Sequence, residues 1–348
     1  MRVVVVTAQV PFVRGGAEIH AEGLVNALCE AGHEAEIVSV PFQWNPPERI
    51  LNCMLACRLL DLTESSGQPI DRVIGLKFPA YLIPHPNKVL WILHQHRTAY
   101  ELWDTPYCDL RQFPNGIQVK EAIINADNKS FAESASVFTN SLNVSKRLKR
   151  FNQVDSHPLY HPPPQAELFY CQDEQDYLFF PSRLNTVKRQ EFVLEALTKT
   201  KNPVKVLFAG NPDKQKYENY LLNLTKKLRI SKRATFLGGI SDKEKFKYYA
   251  EALGVIYPPY DEDYGYVTLE AMLASKPAIT CKDSGGPIEF VHHEKTGLTV
   301  EPTPEAMASA MDRLWENRSW AKALGKTARE YYRSLDISWS NVVKKLLS

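Results

Sequence analysis

Long hydrophobic runs are missing from these 348 residues. None approaches the roughly 20 apolar positions that a membrane-crossing helix needs, so no such span is expected. A strong charge of either sign is missing as well. Lys and Arg number 42 against 40 Asp and Glu, a formal net charge of +2, which gives no whole-molecule case for a nucleic-acid partner. Cysteine is scarce: the six present form no Cys-x-x-Cys and no His/Cys spacing suited to a metal. Cys53 and Cys57 stand one helical turn apart in an apolar stretch and read as packing residues. The GxGxxG dinucleotide fingerprint is absent, which argues against a nicotinamide dehydrogenase. The opening MRVVVVTAQV is short, β-branched and without a small-residue cleavage site, so it does not read as a signal peptide. A cytoplasmic, reducing location is expected, and the four Asn-x-Ser/Thr triplets are read as chance.

What is present suits a globular protein of two domains. Hydrophobic residues make up 44% and charged residues 24%. RVVVVTA, AEIVSV, RVIGL, KVLWIL and SVFTNS read as strands separated by helical stretches, an α/β pattern with a parallel sheet covered on both faces. Proline-heavy SHPLYHPPPQAELFY, 156–170, breaks the rhythm and is the expected linker. The alternation then restarts with YLFFPSRL, VKVLFAG, RATFLGG, GVIYPPY and PAITCKD as strands, and helices near 188–200, 213–230, 241–252 and 304–317. Two doubly wound domains facing each other across a cleft are expected, 1–160 and 161–335, with 336–348 a helix that crosses back to the N-terminal domain.

Four stretches fall at strand ends, where such folds bind ligands. In YDEDYGYVTLEAMLASKP, 260–277, Gly265 stops a helix from running back through Glu262. Glu262 is therefore placed on a loop and Glu270 on the helix's second turn, with the amides of Tyr266, Val267 and Thr268 pointing toward an anion. A solvated acidic cap is the plain alternative. Gly15-Gly16-Ala17-Glu18 lets backbone approach a phosphate, or is merely a loop-to-helix joint. His94, in LHQHR after a strand, suits hydrogen bonding to a ligand, or is a surface loop residue. Arg183 and Lys188, in PSRLNTVKR, suit a diphosphate, with Lys188 at a helix start; a solvated basic turn is the alternative. DSGGPIEFV adds another tight strand-following loop. The basic stretches SKRLKRF, 145–151, and TKKLRISKR, 225–233, read as the wet layer of an α/β domain or as contacts to an anionic bilayer.

Together these segments resemble the retaining nucleotide-sugar glycosyltransferases of family 4, which have the GT-B fold. The likeness rests on Gly15-Gly16-Ala17-Glu18, His94, SRLNTVKR, EDYGYVTLEAM with its Glu-x7-Glu spacing, SGGPIEFV and TGL, and covers nearly the whole chain. It implies an N-terminal acceptor-side domain and a C-terminal domain for the donor. It implies catalytic roles for His94, Arg183, Lys188 and Glu262. Arg183 and Lys188 would hold the donor diphosphate, and Glu262 and His94 would meet the donor sugar; His96 is a second choice. Substrate binding would fall to Gly15, Gly16, Gly265, Tyr266, Val267, Thr268, Leu269 and Glu270, the last on the ribose. No metal and no cofactor beyond the donor are implied.

Departures from the family pattern are Asp263-Tyr264-Gly265 in place of a Phe-Gly pair, LFAGNPD without a second glycine, and ASKP without one. The expected donor is UDP-glucose, with GDP-mannose the rival. The expected acceptor is a saccharide or lipid-linked glycan of cell-surface or exported polysaccharide, made in the cytoplasm or at the inner membrane face. A nucleotide-sugar epimerase or hydrolase would act without an acceptor, and a non-catalytic binding subunit would hold donor without turnover.

Overall fold

Runs of Val and Ile buried on both faces, separated by amphipathic helices, build one parallel sheet in each half of the chain. The computed structural model describes every residue, Met1–Ser348, and divides into two units: Met1–Pro164 with Ile337–Ser348, and Gln165–Asp336.

The first unit opens with β1 (Arg2–Gln9), in which Val3 through Ala8 are all buried. It continues with α1 (Gly16–Glu30), β2 (Glu34–Pro41), α2 (Glu48–Leu59) and a small hairpin, β3 (Glu64–Ser65) and β4 (Gln68–Pro69). Then come β5 (Arg72–Lys77), β6 (Lys88–His94), α3 (Gly116–Ala132), β7 (Ser136–Thr139), α4 (Leu142–Asn152) and β8 (His157–Pro158). The sheet order is β2-β1-β5-β6-β7-β8, every neighbour parallel. Direction along the sheet reverses at β1 and β5, so a crevice opens beyond their C-terminal ends.

The second unit runs β9 (Leu178–Pro181), α5 (Gln190–Lys199), β10 (Val206–Ala209), α6 (Gln215–Lys227), β11 (Ala234–Gly238), α7 (Asp242–Glu251) and β12 (Gly254–Ile256). It ends with α8 (Tyr266–Leu273), β13 (Ala278–Cys281), β14 (Gly297–Val300), α9 (Pro304–Glu316) and α10 (Arg318–Ser334). Its order, β11-β10-β9-β12-β13-β14, is the dinucleotide-fold order, with its switch point between β9 and β12.

The last helix, α11 (Trp339–Leu347), returns to the first unit. Val342 and Leu346 are fully buried with Val3, Val5, Leu24 and Leu28, each contributing roughly 1.5–3 kcal/mol by leaving water. Gly23 of α1 makes this possible, because a Cβ there would stand 2.5 Å from the Trp339 ring.

The division between the units falls between Pro164 and Gln165, within the expected linker stretch 156–170, the first part of which belongs to the first unit. That part contains edge strand β8, and the Trp91 indole donates to the Leu159 carbonyl at 3.2 Å, tying it into the first unit. Edge strands β8 and β14 are not among the strands expected from sequence. No helix is long and apolar enough to cross a membrane.

Candidate functional site

In the second unit, three loops follow β9, β12 and β13 at and beside the switch point. The β9 loop is pinned to the β10 loop by the bonds Leu184 N–H to Asn211 O (3.0 Å) and Asp213 N–H to Leu184 O (3.1 Å). Asn185 caps a 3-10 turn, Thr186–Lys188, by accepting the Lys188 amide at 3.1 Å. Lys188 thus ends this turn, two residues before α5 begins at Gln190, beside the helix start where it was expected. Its Nζ donates to the Tyr257 hydroxyl at 2.9 Å and forms a close ion pair with Glu262. Both charged side chains are mostly covered, 14% and 17% exposed, so the pair is less screened than a surface pair. Tyr257 itself is buried. Burial and then the Glu262 charge push its hydroxyl well above the usual phenol range, so it is held as a neutral donor and acceptor.

Arg183 lies in the same loop but faces another way. Its Nη1 meets Asp213 at 2.9 Å, and both side chains are more than a third exposed. Asn185 donates to the other Asp213 oxygen at 3.0 Å.

The β12 loop ends at Gly265, the N-cap of α8, with φ +84. An added Cβ would lie 3.0 Å from Pro287 Cγ and 3.1 Å from Tyr257 Cε1, so both conformation and space require glycine. Tyr266 and Val267 then present the leading amides of α8, which have no carbonyl one turn back within the helix. Thr268 differs from expectation: its amide (3.2 Å) and hydroxyl (2.9 Å) both donate to the Gly265 carbonyl, and its side chain is buried. The Leu269 side chain is also buried in the core, leaving only backbone for any ligand. Glu270, on the second turn, accepts the Tyr249 hydroxyl at 2.6 Å, and Lys245 Nζ lies 3.7 Å from its other oxygen. Glu262 and Glu270 therefore have separate partners, though both charges act on Tyr257.

The β13 loop is zipped to the β12 loop. Glu262 N–H donates to Ser284 O at 2.9 Å, and Gly286 N–H to Glu262 O at 2.8 Å. A Cβ at Gly286 would sit 2.6 Å from the Tyr264 carbonyl oxygen.

The candidates of the first unit gather at its own switch point. Gly15 caps α1, donating its amide to Glu18 Oε2 at 2.7 Å, while Lys77 Nζ stands 3.9 Å from Glu18 Oε1. A Cβ on Gly15 would meet only Glu18 Oε2, at 3.8 Å, so the fold gives no steric reason for that glycine. Gly16 is the first residue of α1. His94 ends β6 in register with Lys77. Its Nδ1–H donates to the Gln95 carbonyl at 2.7 Å. His96, the second choice, packs against Phe42 and Phe78 with its pKa pushed down to about 4 by burial.

Tyr257, Asp213 and Tyr249 join the site without having been singled out from sequence. Tyr257's place at the end of a switch-point strand was the one usable signal.

Fold and site define a class: a two-unit, parallel α/β protein of GT-B type with cations and a helix N-terminus at the strand ends. Residues 171–331 match the family model of glycosyl transferases group 1. Across its whole length the chain is 24% identical to an uncharacterized glycosyltransferase, MJ1607, of Methanocaldococcus jannaschii, covering 97% of that protein. It is 25% identical to the alpha-1,3/1,6-mannosyltransferase ALG2 of Dictyostelium discoideum over 81% of this chain and 77% of that one. Among solved structures, the sucrose-phosphate synthase of Thermosynechococcus elongatus superposes with a TM-score of 0.78 at 18% identity, covering 100% of this chain and 98% of the other. The fold is of GT-B type, and the comparisons support a glycosyltransferase of the family 4-like kind.

Proposed function

We propose that this glycosyltransferase moves a hexosyl group from a nucleoside diphosphate sugar to a hydroxyl of a saccharide or lipid-linked acceptor, with retention at the anomeric carbon. The observation that carries this reading is the meeting of Lys188, Tyr257, Glu262 and the head of α8 at one switch point. A diphosphate seated on the α8 amides gains from the helix dipole and takes Lys188 as counter-charge. Arg183 reaches it by exchanging its exposed Asp213 partner for phosphate, a small loss for a surface pair. Glu262, released from Lys188, accepts hydroxyls of the donor sugar, and Glu270 those of the ribose.

In the step itself the bond from the anomeric carbon to the phosphate oxygen breaks. The acceptor oxygen bonds to the same face of that carbon, and its proton passes to the departing phosphate. Arg183, Lys188 and α8 neutralise the leaving charge, so neither metal nor cofactor is included in the proposal. Sugar contact by His94 and phosphate approach at Gly15 and Gly16 rest on the family resemblance.

The donor proposed first is UDP-glucose, in cytoplasmic synthesis of a surface or exported polysaccharide. GDP-mannose is the second reading, favoured by the mannosyltransferase name of the Dictyostelium relative. Exposed Lys146, Lys149 and Arg150 on α4 are proposed to touch an anionic inner membrane face, checked by flotation with anionic vesicles. The test of function is calorimetry with UDP, GDP and ADP, followed by turnover of the sugar of whichever binds. Donor consumed only with an acceptor supports transfer. Isomerised or hydrolysed donor without acceptor points to an epimerase or hydrolase, and binding without turnover under any acceptor to a non-catalytic subunit.

A further inference from the structure

We propose that Arg189 is a positioning residue: its fork on Asp283 fastens the turn carrying Lys188 to the β13 loop, which is itself bonded to the loop carrying Glu262. The inference rests on the roles just given to Lys188 and Glu262.

Arg189 follows Lys188 directly and lies at φ +60, ψ +40. Glycine adopts this left-handed conformation without penalty, whereas an arginine is disfavoured there. The turn alone therefore gives no reason for a long cationic side chain, but its contacts do. Nη1 lies 2.8 Å from Asp283 Oδ1 and Nη2 2.5 Å from Oδ2, a two-point grip that fixes orientation as well as distance. The guanidinium also stands 5.0 Å over the Tyr260 ring. Its side chain is only 14% exposed, and that of Asp283 33%, so the pair is partly shielded from water.

These contacts join all three loops of the site. Arg189 belongs to the β9 loop, Tyr260 to the β12 loop and Asp283 to the β13 loop. Main-chain bonds continue the same seam: Tyr260 N–H to Val187 O at 2.8 Å and Asp261 N–H to Asp283 O at 2.9 Å. Lys188 is thus flanked by two ties to the loop in which Glu262 sits. Loss of the fork lets the Lys188 turn shift relative to Glu262, and small misplacements cost rate more than ground-state binding.

Arg189→Gly removes the fork while relieving the left-handed backbone, so the variant keeps its fold. Turnover of UDP-glucose or GDP-mannose, whichever the wild type uses, is followed by nucleoside diphosphate release. Arg189→Gly is expected to lower kcat at least fivefold with donor KM changed less than threefold. Arg189→Lys, which keeps charge but not the fork, falls between. Asp283→Asn, which leaves the Arg189 backbone untouched, repeats the loss, and the double variant is no worse than either single. Wild-type kcat in both Arg189→Gly and Asp283→Asn overturns the proposal, as does full additivity in the double. Lys188→Ala separates the two levels. If it is impaired while Arg189→Gly is fully active, the clamp alone fails; if it is itself fully active, the reading of the site fails too.

Discussion

Replacing Lys188 with alanine is the sharpest single perturbation of the donor site. Two unit charges about 4 Å apart interact by roughly 4 kcal/mol at an effective dielectric of about 20. The net worth of a charge-assisted hydrogen bond is smaller, about 1.5–3 kcal/mol, because phosphate gives up water to make it. At about 1.4 kcal/mol per tenfold, Lys188→Ala should weaken nucleoside diphosphate binding by roughly 10- to 150-fold. A second effect adds to the first. Lys188 is the ion-pair partner of Glu262, whose side chain is only 17% exposed, so its removal leaves that carboxylate to face the incoming diphosphate. Lys188→Ala/Glu262→Gln should therefore bind the diphosphate better than Lys188→Ala alone, although it has lost two charged groups. Isothermal calorimetry with UDP and GDP reads both effects, and an unchanged melting curve shows the fold is kept. Binding by Lys188→Ala within threefold of wild type, or a double variant weaker than the single, would refute the reasoning.

Gly265→Ala places a Cβ at φ +84, 3.0 Å from Pro287 and 3.1 Å from Tyr257. It should cost about 1–3 kcal/mol, seen as a Tm lower by several degrees, and an unchanged Tm would mean that the α8 cap tolerates a side chain. Acid should destabilise the first unit through His20, fully buried against His161 at 2.9 Å, with its pKa pushed down to about 3 by burial. The sign follows from linkage: the unfolded imidazole protonates near 6.5 and the folded one only near 3. Its stabilising effect is thus complete above pH 6.5 and is lost as pH falls toward 3. Buried Asp127, raised to about 7, acts in the opposite sense, its contribution being lost as pH rises from about 4 to 7. Comparing wild type with His20→Leu removes that common background: their Tm gap should narrow from pH 7.5 to 5, and a widening gap contradicts the assignment.

Much of the fold was legible because apolar β-branched runs of four or more residues have few other uses in a parallel sheet. The exceptions are physical. His157–Pro158 is a strand only because it lies on an edge, where a missing amide costs nothing. The helix head at Gly265 was readable, since glycine before an apolar helix marks a special backbone angle, and Glu270 fell on its second turn as placed. The turn at 186–189 was not readable. Thr-Val-Lys-Arg contains no glycine, and its left-handed Arg189 is held by a partner 94 positions away. Tyr257 was hidden for a similar reason, as one more aromatic residue at the end of a buried strand until its hydroxyl is seen on Lys188. Thr268 and Leu269 lie in an eight-residue helix apolar nearly all round, which gave no sign of the side turned to the core.

The most direct test of the central claim is a crystal of this protein soaked with UDP or GDP. The phosphates should lie on the leading amides of α8, within hydrogen-bond reach of Lys188 Nζ, with Arg183 turned away from Asp213 toward them. A nucleotide bound elsewhere, or phosphates that leave the Lys188–Glu262 pair and the head of α8 untouched, would contradict it.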